Sequence, residues 1–261
     1  MLKNKYSNLL CIHTFLYYTD SMLTVHNLTK TFGNKKAVNN VSFTIKEGEI
    51  FSLIGPNSSG KTTIVKTIVG LLAPTHGSVT VGGYDVVAYP EKAKALIGYI
   101  PDEPSIWPHM TGEEFLYFTQ ALFGIDETTR KEKLPELLKT LKLSGLEQQY
   151  FEEYSRGNKQ KFSITAAFSH HPQLLVIDEP IVGLDPTGAE IAKKMFVDFA
   201  KNGGSVLLVT HTLQFAEEIS DRIGFLKNGE LAIVGTLLEL REKANLAHDA
   251  HLDDIYKKLA L

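Results

Sequence analysis

Gly55-Pro-Asn-Ser-Ser-Gly60-Lys61-Thr62 follows the apolar run Ile50–Ile54 and precedes Ile64, Val65, Ile68 and Val69 at helical spacing. Glycines in such a loop let backbone N–H groups wrap around phosphate oxygens, and the N-terminus of the helix behind them adds positive potential. Lys61 is placed to reach the outer phosphates of a nucleotide, and the Thr62 hydroxyl to ligate Mg2+. Gly55, Pro56, Asn57, Ser58, Ser59, Gly60, Lys61, Thr62 and Thr63 therefore read together as a phosphate-binding loop. The plainer reading, a Gly-rich turn between strand and helix, is outweighed because motif and flanking elements agree.

A second apolar run, residues 174–177, ends in Asp178-Glu179. Alone, that pair would be a solvated turn. Beside a phosphate loop, Asp178 becomes the metal-side carboxylate and Glu179 the candidate general base, because only a strand end lets two adjacent side chains approach one nucleotide. A third run, residues 206–209, leads through Thr210 to His211, which is read as a sensor of the γ-phosphate. A lone histidine there would be structural; the two loaded strand ends before it change that weighting. Tyr154-Ser155-Arg156-Gly157-Asn158-Lys159-Gln160-Lys161 has the character of a helix start suited to an anion, a second one in the same chain.

These groups can meet only if particular elements carry them. The three runs are almost uniformly apolar, as strands buried on both faces of a parallel sheet must be. Ligands gather at the carboxyl ends of such strands, so Gly55, Asp178-Glu179 and His211 should converge. Shorter runs at 23–26, 41–45 and 78–81 predict an antiparallel minor sheet. The long interval between the first two core strands predicts an inserted helical subdomain. Within it, Thr111-Gly-Glu-Glu114 is a capping box for a helix running to about Gly124, and residues 131–143 and 159–169 carry helical spacing. Residues 225–233 form a hairpin turning at Asn228-Gly229, and an amphipathic helical tail from Leu237 breaks near Asn245. His170-His171 is read as a helix terminus before Pro172, since adjacent residues on a helix end point apart.

Bulk properties limit the function classes. A chain of 261 residues suits one large α/β domain with an inserted subdomain, or two small domains. Lys+Arg 27 against Asp+Glu 30 gives no field that would favour nucleic acid, so no nucleic-acid partner is expected. Cys11 is the only cysteine, which excludes an intramolecular disulfide or a thiolate metal cluster. The apolar run at 9–18 is roughly half the ~20 residues of a membrane-spanning helix. Residues 1–21 are read as an extension outside the fold, non-native or disordered, with Met22 as the true or alternative start.

The ordered motifs resemble those of ATP-binding cassette (ABC) ATPase subunits, from Leu23 to about Gly235. The implied fold is α/β, a P-loop NTPase (RecA-like) parallel-sheet core with an antiparallel β subdomain and an inserted α-helical subdomain at about 100–170. The cassette would span residues 22–236, and residues 237–261 would be the helical tail. The resemblance implies ATP and Mg2+ as cofactors. It gives Phe32 to stacking on adenine, counts Val38 among the nucleotide contacts, and assigns Thr62, Asp178 and Asp102 to the metal. Lys61, Asp102, Glu179 and His211 would be the catalytic set. Ser155 and Gly157 would bind the ATP of a facing subunit, and Gly183-Leu184-Asp185-Pro186 would cross the dimer interface.

Two departures from the family pattern stand out. Asp102, in Ile97-Gly-Tyr-Ile-Pro-Asp102, occupies the position of a usual glutamine, as in a subset resembling bacterial ABC-2-type export ATPases. Arg156 occupies the position of a usual glycine, and Asn158 that of a usual glutamine. The implied partners are transmembrane permease subunits and a second ABC ATPase subunit, identical or related. The implied location is cytoplasmic, peripheral on the inner face of the cell membrane. Trp107, on a Pro-flanked loop, either borders a groove for a permease helix or packs beneath the inserted subdomain. The rivals are a soluble ABC ATPase acting on ribosomes or DNA, and a small-molecule P-loop kinase; the kinase leaves residues 154–161 without a purpose.

Overall fold

The computed structural model describes residues 21–181 and 183–259. The reading of residues 1–21 as an extension falls outside the described residues as far as residue 20, as does the reading of Cys11; Ser21, counted in that extension, instead opens the first strand and pairs with Lys46. The chain begins with the antiparallel pair β1 (Ser21–Phe32) and β2 (Lys35–Lys46), then β3 (Ile50–Ile54), α1 (Lys61–Ile68), β4 (His76–Val81), β5 (Tyr84–Asp85), α2 (Pro90–Ala95) and β6 (Ile97–Ile100). Three helices form the insertion: α3 (Gly112–Leu122), α4 (Glu127–Thr140) and α5 (Arg156–Phe168). The chain then returns through β7 (Leu174–Asp178), α6 (Pro186–Lys201), β8 (Ser205–Thr210), α7 (Leu213–Ile219), β9 (Arg222–Lys227) and β10 (Glu230–Gly235), ending in α8 (Leu237–Lys243) and α9 (Leu252–Leu259).

The six-stranded sheet has the order β10-β9-β3-β8-β7-β6, parallel throughout except for β10. A four-stranded antiparallel sheet, β2-β1-β4-β5, packs against one of its faces. Alternation along the central strands explains their uniformly apolar sequence. Leu174, Val176, Leu207 and Val209 face the antiparallel sheet, while Leu175, Ile177, Val206 and Leu208 face the core shared with the helical insertion. A residue on either side that was not apolar would be stranded away from water.

The predicted capping box is present: Thr111 Oγ1 accepts from the Glu114 N–H, and the Glu114 carboxylate accepts from the Thr111 N–H. The start of α4 differs from the expectation of 131. Asp126 caps it by accepting from Thr129 N–H, and its first turn is polar, so apolar spacing could not reveal it. Lys142, at φ 57, ends the helical course earlier than 143. The tail breaks at Asn245 as expected, with φ 50. It is part of the fold: Leu240, Ala244, Leu252 and Ile255 are buried with Ile54, Ile223 and Phe225. Among the described residues, no helix is long and apolar enough to cross a membrane.

Candidate functional site

Strands β3, β8 and β7 lie side by side in register, with Ile54 opposite Thr210 and Val209 opposite Asp178, so their carboxyl ends open into one cavity of about 1140 Å³. Its wall includes Phe32, Asn57, Ser58, Lys61, Thr62, Thr63, Asp102, Asp178, Glu179 and His211. The sequence placed these on five separate stretches; the sheet brings them together.

The phosphate loop is shaped by its neighbours. Gly60 holds φ 110 at the start of α1, and a Cβ there would lie 2.6 Å from the carbonyl oxygen of Ala37, so a side chain is excluded. Gly229, in the β9–β10 turn, donates its N–H to Ser59 O at 2.9 Å. The hairpin turn, legible as a turn, thus also props the loop and lines the cavity. Lys61 is buried and donates from Nζ to the carbonyls of Gly55 (2.6 Å) and Pro56 (3.0 Å). Burial lowers its pKa, with Glu179 and Asp178 acting against that fall.

The carboxylate pair has a specific backbone cause. Asp178 ends β7, and Glu179 then takes φ 51, a left-handed conformation that costs a non-glycine residue roughly 1–2 kcal/mol. That turn of the chain brings both carboxylates to the same cavity; strand alternation alone would have separated them. Glu179 is buried, accepting from Thr210 Oγ1 at 2.9 Å and from His211 Nδ1 at 2.7 Å. Thr210, unassigned in the sequence, is thereby a positioning residue, and its place beside His211 was the available signal. Asp178 is pushed up to about 6, first by burial and then by the charges of Glu179 and Asp102, with Lys61 and Lys66 opposing.

Phe32 is half exposed at the cavity rim, with the Lys30 ammonium over its ring at 5.3 Å from the ring centre. Val38 is placed differently from expectation. Its side chain is fully buried in the core between the sheets, and Lys35, Lys36 and Ala37 line the cavity instead. Alternation along β2 turns Val38 inward.

Ser155 caps α5, its Oγ accepting from Asn158 N–H at 3.2 Å, and neither it nor Gly157 lines the cavity of its own chain. Arg156 does line it, through a reach to Asp102. Trp107 is 64% exposed and meets Phe118 edge-to-face at 5.9 Å, so it does not pack beneath the insertion. It follows Ile106, which with Tyr99, Pro104, Phe115, Phe123 and His170 lines a smaller groove of about 220 Å³. Tyr99 and Pro101 line both the groove and the large cavity. The adjacent histidines have separate partners: His170 reaches Ile97 O and His171 reaches Lys133 Nζ.

A family model described as "ABC transporter" matches residues 38–182. The chain belongs to the ABC transporter family. It is 37% identical over 239 residues to the ABC-type transporter ATP-binding protein EcsA of Bacillus subtilis strain 168, covering 92% of this chain and 96% of that protein. A solved structure described as the ATP binding subunit of an ABC transporter superposes with TM-score 0.88 at 33% identity, covering 92% of this chain and all of that one. A dimeric cassette, MJ0796, in a post-hydrolysis state with ADP and Pi, gives TM-score 0.73 at 27% identity, covering 83% of this chain and 99% of the other. The ABC chain described above is an ATP-binding, ATP-hydrolysing transporter subunit with the P-loop NTPase fold.

Proposed function

We propose that this ABC subunit hydrolyses ATP with Mg2+ in a composite site, half from each of two facing chains, and drives a separate membrane permease in export. The observation that carries it is the convergence of Lys61, Thr62, Asp178, Glu179 and His211 on a cavity with Phe32 at its rim.

The residues fit a magnesium ion that is completed by phosphate oxygens. Among the described residues no group of three or more His, Cys, Asp or Glu is arranged to hold a metal alone. Mg2+ commonly binds through one or two carboxylates plus substrate phosphates, and Asp178, a buried carboxylate crowded by two others, gains from a nearby cation. Thr62 and Asp178 would hold it. When bound, the metal neutralises charge on the transferred phosphoryl group. Asp102, also expected at the metal, has Oδ1 engaged by Arg156, which makes it the weaker ligand.

The chain's own groups do the rest. Phe32 stacks the base. Lys61 exchanges its two backbone carbonyls for the outer phosphates. His211 moves from Glu179 toward the γ-phosphate, and Glu179, still held by the Thr210 hydroxyl, accepts the proton of the attacking water. Ser155 and Gly157 lie outside their own cavity, which supports a role toward the ATP of a facing chain, as does similarity to a dimeric cassette. Trp107 and the adjoining groove would take a permease segment, with Tyr99 and Pro101 linking groove and ATP cavity. In this reading the subunit works at the cytoplasmic face of the membrane, as the family resemblance implies. Export follows from the resemblance of the loop holding Asp102 to ABC-2-type export ATPases.

Glu179→Gln tests the site. ATP binding should persist, turnover should fall by roughly 10²–10⁴-fold, and ATP-bound dimers should accumulate. Undiminished turnover would remove Glu179 as the base.

A further inference from the structure

The two departures from the family pattern touch each other. Arg156 opens α5 and Asp102 follows β6, 54 residues apart in sequence, yet Nη2 of Arg156 lies 3.1 Å from Oδ1 of Asp102. A route for the arginine is built into the neighbouring loop. Its stem crosses Gly183, where an added Cβ would lie 3.0 Å from both Cγ and Cδ of Arg156. Gly183 also holds φ +87, so a side chain there would be strained as well as crowded. Three motifs, from the loop after β6, the start of α5 and the loop before α6, are thus joined within one chain.

The charge balance of the cavity gives this contact a purpose. Asp102, Glu103, Asp178 and Glu179 all line it, together with Lys35, Lys36, Lys61, Lys66 and Arg156, and of these cations it is Arg156 that is paired with Asp102. An aspartate at 102 adds a negative charge to a space that must admit a triphosphate, where the family pattern has a neutral amide. A glycine at 156, as in that pattern, would leave the added charge without this partner.

We propose that Arg156 and Asp102 work as one unit, Arg156 being the built-in counter-ion that holds the Asp102 carboxylate at the cavity wall and lets the chain accept its own nucleotide. Arg156 is then a positioning residue acting in its own subunit. This rests on the ATP-site reading above. Both side chains are about half exposed, so the effect is that of a surface pair, and a few-fold change in affinity is expected.

The test is a cycle of Arg156→Gly, Asp102→Gln and the double variant, with Arg156→Lys as the conservative control. ATP affinity is measured by calorimetry in EDTA at low protein concentration, alongside thermal melting to confirm folding. Arg156→Gly should weaken ATP binding about threefold to fivefold, and Arg156→Lys should recover most of that loss. In the Asp102→Gln background the same Arg156→Gly change should have no effect, and the loss in the native background should shrink at high salt. An equal loss in both backgrounds would overturn the pairing and make Arg156 a direct phosphate contact. No loss in the native background would also overturn it. Failure of the unmodified chain to bind ATP would instead strike at the site reading.

Discussion

The phosphate-loop half of the site and the α5 half are built by different physics. Lys61, Asp178 and Glu179 are each less than a tenth exposed, held by core strands and by a left-handed turn at Glu179. Ser155, Arg156 and Asp102 sit on the surface, held by one helix cap and one half-exposed ion pair. The first half fixes the places of its carboxylates and its phosphate loop before any ligand arrives, with Lys61 and His211 left to exchange partners. The second is adjustable, which suits a surface that completes its work against another molecule.

That contrast predicts where substitutions hurt. The largest effect belongs to the buried half, with the loss of turnover in Glu179→Gln already described. Next, Asp178→Asn should abolish metal-dependent turnover while stabilising the nucleotide-free chain. The carboxyl of Asp178 is raised to about 6 from an unfolded value of 3.8, so the folded state holds the extra proton between these values. Its ionisation therefore costs stability as pH rises from about 4 to about 6, and the cost is constant above that. Asp178→Asn should gain about 2–3 kcal/mol at pH 7 in urea titrations, and the gain should vanish near pH 4. A gain that grew on acidification would contradict the burial account.

The surface half should respond more gently. Ser155→Ala removes the cap of α5, for a loss of about 1 kcal/mol in the same titrations, with lost turnover but undiminished ATP affinity of the single chain. Weakened single-chain affinity would place Ser155 in its own cavity and erase the distinction. Smallest of all, Trp107→Ala should leave ATP hydrolysis by the isolated subunit unchanged while reducing co-purification with a permease from detergent. Reduced hydrolysis in isolation would instead make the tryptophan part of the cassette's internal packing.

Both halves left marks in the sequence, but the strands of the buried half were the plainest. A double-sided strand admits almost nothing but apolar residues, so β3, β7 and β8 announced themselves, and the chemistry at their ends followed. The burial of Val38 was not read in advance, because a family resemblance says nothing about which face of β2 a residue occupies, whereas alternation along that strand turns it inward. Thr210 was missed because its adjacency to His211 does not by itself say that the hydroxyl turns toward Glu179, where it fixes one carboxylate oxygen. The contact between Arg156 and Asp102 joins positions that no local pattern relates. The start of α4 was lost for a similar reason: its polar first turn gives no periodicity, and only the Asp126 cap marks it.

The composite site is tested most directly by the dependence of specific ATPase activity on protein concentration. Two incomplete halves predict activity per chain that rises with concentration and levels off as dimers fill, in step with dimer mass. Constant activity per chain, down to concentrations at which only monomer is detected, would contradict it.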